Sequence, residues 1–291
     1  MAKTASQTSR LYQAFPQNRL FDSHCHLESM PGYIKPQVEA AIAAGVSNIV
    51  TVGIDIKSSL AGLAIQKKYP EVVLAGIGLQ PEIVIPGSDI YDKSITTINA
   101  GETIQQIEKC LIDNEFKLIG ECGLDYYWLE RNETLTASEI ENCKYLQQFL
   151  LKEQLKLAQL FKLPVSLHSR AAEADCIDAC KQYAHKLPVI FHSFTGNLEQ
   201  AQEIISSGFK IGINAIITYK SAAALRELFI KIVGNNKIDS VKDLYELGFY
   251  LETDSPLLVP SNSKQHESFN SPKQLPYIWQ FITTLLRKNE A

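Results

Sequence analysis

Cysteine is sparse in this chain, six residues in 291, and its spacing is uninformative: Cys25, Cys110, Cys122, Cys143, Cys176 and Cys180 form no Cys-x-x-Cys pair. That pattern excludes a disulfide scaffold and a thiolate metal site, so reduced thiols are expected. Cys176 and Cys180, four positions apart, read as one buried helix face. No apolar run approaches the length of a membrane-spanning helix. The polar stretch 1–18 carries no apolar core of a secretory signal, and a cytoplasmic location is the expectation. Internal repeats, low-complexity tracts and dividing linkers are also lacking. Neither charge sign dominates: 28 Lys and Arg against 32 Asp and Glu leave a net −4, which argues against a broad basic track for duplex DNA.

What remains is a chain with 45% hydrophobic residues, long enough to bury one full core. Residues 1–18 read as a polar tail and 19–291 as a single domain. Short apolar runs recur along that domain: Leu20 to Asp22, Asn48 to Val52, Val72 to Gly76, Lys117 to Gly120, Leu163 to Leu167, Leu187 to Phe191, Phe209 to Ile213 and Gly248 to Leu251. Between them lie segments of helical periodicity, such as Ile140 to Phe161. Eight strands alternating with helices predict a (β/α)₈ TIM barrel, an α/β fold. An open doubly wound sheet, the competing architecture, would separate the first strand from the last.

The distribution of metal-binding side chains favours closure. His24 and His26, Glu121, His168, His192 and Asp254 each follow one of the apolar runs. In a barrel all strand C-termini open on one face, which brings these six together. Imidazole and carboxylate donors without thiolate suit Zn, Mn, Fe or Ni, and six donors suffice for two divalent ions. In extended backbone His24 and His26 face the same way, with Cys25 towards the helices. Taken alone, that pair reads more readily as polar barrel filling than as a metal site. Glu121, between Gly120 and Gly123, is either a charged turn residue or a carboxylate bridging two cations. Asp254 is expected to bind metal and to accept a proton from the attacking water, which makes Glu121 and Asp254 the catalytic candidates. Glu252 lies one layer deeper and supports the ligands rather than joining them.

Substrate contacts are sought nearby. Arg170, two residues beyond His168, either grips a phosphate or carboxylate or makes a salt bridge at a helix start. Ser193, Thr195 and Gly196 form a small-residue turn whose free N–H groups are expected to receive an anion. The loop from Pro81 to Gly101 follows a strand and is expected on the mouth, whereas Gly234 to Leu247 precedes one and is expected on the opposite face. His185 and His266 read as solvated.

Five segments now carry a family resemblance: Phe21 to His26, Ile119 to Tyr127, Pro164 to Arg170, Phe191 to Gly196 and Leu251 to Pro256. Together and in this order they resemble the TatD-type metal-dependent deoxyribonucleases over roughly 19–260. The resemblance implies a TIM barrel of the metal-dependent hydrolase superfamily, with His24, His26, Glu121, His168, His192 and Asp254 in the metal positions. It also implies hydrolysis of DNA phosphodiesters, in relatives often as a 3′-to-5′ exonuclease supported by Mg or another divalent ion. Single-stranded DNA or strand ends are then the expected partner.

Two departures stand out. Where the family usually has Gly-x-His-Pro, this chain reads Gly78-Leu79-Gln80-Pro81-Glu82, and the segment 261–272 replaces a basic Arg-Gly-type stretch. Neither removes a metal ligand. A hydrolase of small amides, lactones or phosphoesters on the same barrel is the second reading, because fold and metals do not fix substrate. Many such amidohydrolases bridge their metals with a modified Lys at strand four, where this chain has Glu121. The third reading is a metal-binding scaffold without activity.

Overall fold

The structure is a computed structural model that describes residues 18–263 and 268–289. The tail 1–17 and His266 lie outside the described residues. Eight parallel strands form one sheet in sequence order: β1 Phe21–Cys25, β2 Asn48–Thr51, β3 Val73–Ile77, β4 Leu118–Asp125, β5 Val165–Arg170, β6 Val189–Phe191, β7 Lys210–Ile213 and β8 Phe249–Leu251. The sheet closes at its C-terminal rim, where the Asp254 N–H donates to the His24 carbonyl at 2.9 Å and the His26 N–H donates to the Ser255 carbonyl at 2.8 Å. The fold is therefore the (β/α)₈ barrel, and its first and last strands are neighbours.

The helices are α1 Ile34–Ala43, α2 Ile56–Lys68, α3 Ala100–Asp113, α4 Tyr127–Glu130, α5 Ala137–Phe161, α6 Glu173–Cys180, α7 Leu198–Ser206, α8 Ala223–Val233, α9 Val241–Glu246 and α10 Leu275–Asn289. Cys176 and Cys180 are both buried on α6, one turn apart. None of the described helices is long and apolar enough to cross a membrane.

Helix α5 does most to position the mouth. Thr136 and Glu139 close a capping box at its start, satisfying N–H groups that would otherwise lack partners. Two buried glutamines on it then reach loop backbone. Gln147 accepts from the Asp125 N–H at 3.0 Å and donates to the Pro81 carbonyl at 3.1 Å, and Gln154 accepts from the Leu79 N–H at 2.8 Å. Buried amides so satisfied fix the connections after β3 and β4 against the same helix.

Strand β4 differs from expectation. It runs on to Asp125 instead of stopping at Gly120, because its upper half pairs with β5 from Cys122↔Leu167 to Asp125↔Arg170. Gly123 makes this pairing possible: its φ is 149°, and a Cβ there would lie 1.9 Å from the His168 carbonyl oxygen. Glu121 thus projects from a strand and not from a Gly-rich turn.

Candidate metal centre

The six donor residues converge at the C-terminal mouth. His24 lies in β1 and His26 just beyond it, Glu121 in β4, His168 in β5, His192 after β6 and Asp254 after β8. Glu121 stands at the centre with its two oxygens facing different partners. Oε2 is 3.6 Å from His24 Nε2 and 3.4 Å from His26 Nε2, while Oε1 is 2.9 Å from His168 Nδ1 and 3.1 Å from His192 Nε2. Asp254 Oδ1 lies 3.8 Å from His24 Nε2 and 3.7 Å from His26 Nε2. His24 with His26 and Asp254 makes one compact donor group, and His24 with Glu121 and His192 another.

The remaining ring nitrogens are mostly tied down. His24 Nδ1 is 2.7 Å from Ser166 Oγ, and His26 Nδ1 donates to the Val52 carbonyl at 3.0 Å. His168 Nε2 donates to Asp125 Oδ2 at 3.1 Å. Such contacts set the ring orientation and turn the opposite nitrogen towards Glu121. The His24 and His192 rings stack with centroids 3.8 Å apart, and His192 Nδ1 lies 3.9 Å from Glu252 Oε1.

Electrostatics follow the same division. Burial disfavours the Glu121 charge, but His192, His168 and His24 outweigh it and hold the carboxyl well below its usual range. Burial also disfavours a charged His168, yet hydrogen bonds to Asp125 and Glu121 push its pKa up to about 10. His24, buried beside His192, is driven well below the usual histidine value. Asp254 is raised by burial, with His192 and His26 pulling the other way.

The profile of TatD related DNases matches residues 21–291. The chain belongs to the TatD family. Among its relatives, an uncharacterized metal-dependent hydrolase of Escherichia coli K12, YjjV, is 28% identical over 274 residues, covering 93% of this chain and 91% of the relative. The crystal structure of YjjV superimposes with a TM-score of 0.69 at 26% identity, covering 93% and 91% of the two chains. A Yersinia pseudotuberculosis protein named 3′-5′ ssDNA/RNA exonuclease TatD is 30% identical over 249 residues, 84% of this chain and 82% of that one.

In this TatD-family barrel the mouth opens into a cavity of about 610 Å³, whose lining includes Glu121, His168, Arg170, His192, Ser193, Thr195 and Asp254. Arg170 makes no ion pair among the described residues; its guanidinium lies over the Tyr127 ring at 4.0 Å and the Trp128 ring at 5.1 Å. The turn after His192 offers fewer free donors than expected. The Ser193 N–H donates to Glu252 Oε1 at 2.5 Å and the Phe194 N–H to the Gly212 carbonyl at 3.3 Å. Gly196 is not part of the lining and faces Phe194 and Gln200. Glu252 is fully buried, and Gly212 makes room for it, since a Cβ there would lie 2.1 Å from its Oε2. The loop after β3 contributes Gln80, Glu82, Asp89 and Ile90 to the cavity, on the mouth as expected.

Three functional side chains escape sequence reasoning. Asp125 anchors His168, Glu28 lies 3.8 Å from His26 Nδ1, and Asp22 accepts from the Thr253 N–H at 2.8 Å and the His24 N–H at 3.4 Å. The available signal for Asp125 is its place four residues beyond Glu121; Asp22 carries a weaker one, two residues before His24.

Proposed function

We propose that this protein is a divalent-metal-dependent phosphodiesterase that trims single-stranded DNA from its end. The observation that carries the reading is Glu121, one buried carboxylate with a pair of histidines against each oxygen. The donor set fits a pair of cations: every donor is nitrogen or oxygen, and the outer nitrogens of His24, His26 and His168 are already engaged. His24, His26 and Asp254 would hold one ion and His168 and His192 the other, with Glu121 between them. Such ions supply Lewis acidity, polarising a phosphoryl oxygen and easing deprotonation of water.

The chain's own groups do the rest. Asp254 takes the proton of the attacking water from its place beside His24 and His26. Its N–H bond to the His24 carbonyl keeps it in place. Arg170 pairs with the phosphate from the cavity wall. Ser193 Oγ accepts from Asn214 Nδ2 at 2.8 Å, which leaves its own proton for a substrate oxygen, and Thr195 presents a second hydroxyl. Glu252 braces the Ser193 turn. The choice of nucleic acid rests on the family and on the relative named as a 3′-5′ exonuclease of single-stranded DNA and RNA. A net charge of −4 argues against a broad basic track for duplex DNA and leaves engagement of a strand end open.

The test is a substrate panel with Mg- or Mn-loaded protein, with Asp254→Asn alongside to exclude contaminating nuclease. A 5′-labelled single-stranded oligodeoxynucleotide is expected to shorten from its 3′ end. Turnover of dihydroorotate-like amides or p-nitrophenyl phosphate with DNA left intact would overturn the reading.

A further inference from the structure

We propose that Tyr127, Trp128, Arg131 and Arg170 form a binding platform for the nucleotides adjoining the cleaved end of a single strand. The inference rests on the nuclease reading and extends it to residues outside the metal centre. Two guanidiniums lie over the Tyr127 ring, Arg131 at 3.9 Å and Arg170 at 4.0 Å from its centroid. Neither arginine makes an ion pair among the described residues, so both charges remain available to phosphates. Trp128 is 45% exposed and edge-on to Tyr127, with centroids 5.1 Å apart.

The platform is tied to the metal centre through one carboxylate. Asp125 accepts from the Trp128 N–H through Oδ1 at 3.1 Å and from His168 through Oδ2 at 3.1 Å. The backbone that carries the indole is therefore fixed relative to the reacting end. Along the rest of the described cavity wall a polyanion meets no second cationic side chain. Among the described residues Arg170 is the only Lys or Arg in the lining, whereas Glu28, Glu82 and Asp89 are acidic and Ile54, Ile90 and Leu257 apolar. A strand leaving the centre thus passes Arg170 and then Arg131, with a base stacked on Trp128. Stacking of this kind tolerates any base and selects a chain of nucleotides over a mononucleotide.

The chain has two tryptophans, so in a Trp279→Phe protein the emission comes from Trp128. With Mg present, hydrolysis-resistant phosphorothioate octathymidylate is expected to quench it, and thymidine monophosphate is not. Adding Arg131→Ala should weaken octathymidylate binding about tenfold, near the lower end of what one stacked or charge-assisted contact contributes. In the otherwise native protein, Trp128→Ala should lower the ratio of kcat/KM for octathymidylate to that for the dinucleotide by about the same factor. Unquenched emission, or an unchanged ratio, in a protein that does cleave DNA overturns the platform alone. Wild-type protein that hydrolyses amides or aryl phosphates but neither binds nor cleaves oligonucleotides overturns the nuclease reading and the platform with it.

Discussion

The two ends of this barrel are built from the same eight strands yet solve opposite problems. At the C-terminal mouth the chain buries charge: Asp22, Asp125 and Glu252 are fully buried and Glu121 nearly so. Burial pushes Asp22 up to about 7 despite two bonds from Thr253, and pushes Glu252 well above the carboxylate range, with Asp254 adding to the effect. At the opposite end Phe21, at the start of β1, meets Tyr245 and Tyr250 edge to face with centroids 5.2 and 5.1 Å away. Such a cluster stabilises through apolar area and ring geometry. The mouth holds groups that favour chemistry over stability, and the base supplies packing that offsets them.

If that contrast is right, substitutions at the two ends separate activity from stability. The largest effect belongs to Asp254→Asn, which keeps size and removes charge. Turnover on single-stranded DNA should fall by at least about a hundredfold while the melting temperature stays close to wild type. Near-native turnover, with contaminating nuclease excluded, would remove Asp254 from the chemistry. At the base, Phe21→Ala should cost about 3–5 kcal/mol in urea unfolding with the metal content of the folded fraction unchanged. A comparable loss of metal from folded molecules would show that the ends are not separable.

Asp125→Asn sharpens the picture at the mouth. It removes the charge that holds His168 Nε2, and metal affinity or turnover should drop about 10- to 100-fold. Isothermal titration with Mn checks this, and an unchanged affinity would mean that His168 needs no anchor. The smallest effect concerns Lys210, at the start of β7, whose Nζ donates to the Tyr245 carbonyl at 2.8 Å. Burial lowers its pKa to about 8 from an ordinary 10.5, with Glu246 opposing. Between those values the unfolded chain binds more protons than the folded one, so stability from this group rises with pH across the window. Relative to Lys210→Met, the wild type should gain on the order of 1 kcal/mol, discounted for its partial exposure. Denaturation curves on either side of the window decide it; a gap that stays constant or moves the other way contradicts the assignment.

The apolar runs made the barrel legible, since each strand announces itself locally and eight of them with intervening helices leave few alternatives. The donors were legible for the same reason: His24, His168 and His192 stand at or near the ends of those runs. What stayed hidden depends on partners distant in sequence. The extension of β4 to Asp125 is set by pairing with β5, and no propensity within residues 121–125 reports it. The Ser193 N–H is spent on Glu252, 59 residues away, so a turn that reads as an anion receiver keeps fewer free donors. Arg170 reads as an anion grip or a salt bridge at a helix start, but its stacking on Tyr127 appears only when α4 is folded against the end of β5.

The central claim is that Glu121 joins two cation sites, and anomalous scattering from crystals soaked in Mn tests it most directly. The account predicts two manganese peaks, one on each side of the Glu121 carboxylate, and loss of at least one of them in Glu121→Gln. A single peak at saturating Mn, with Glu121 turned away from it, would contradict the account.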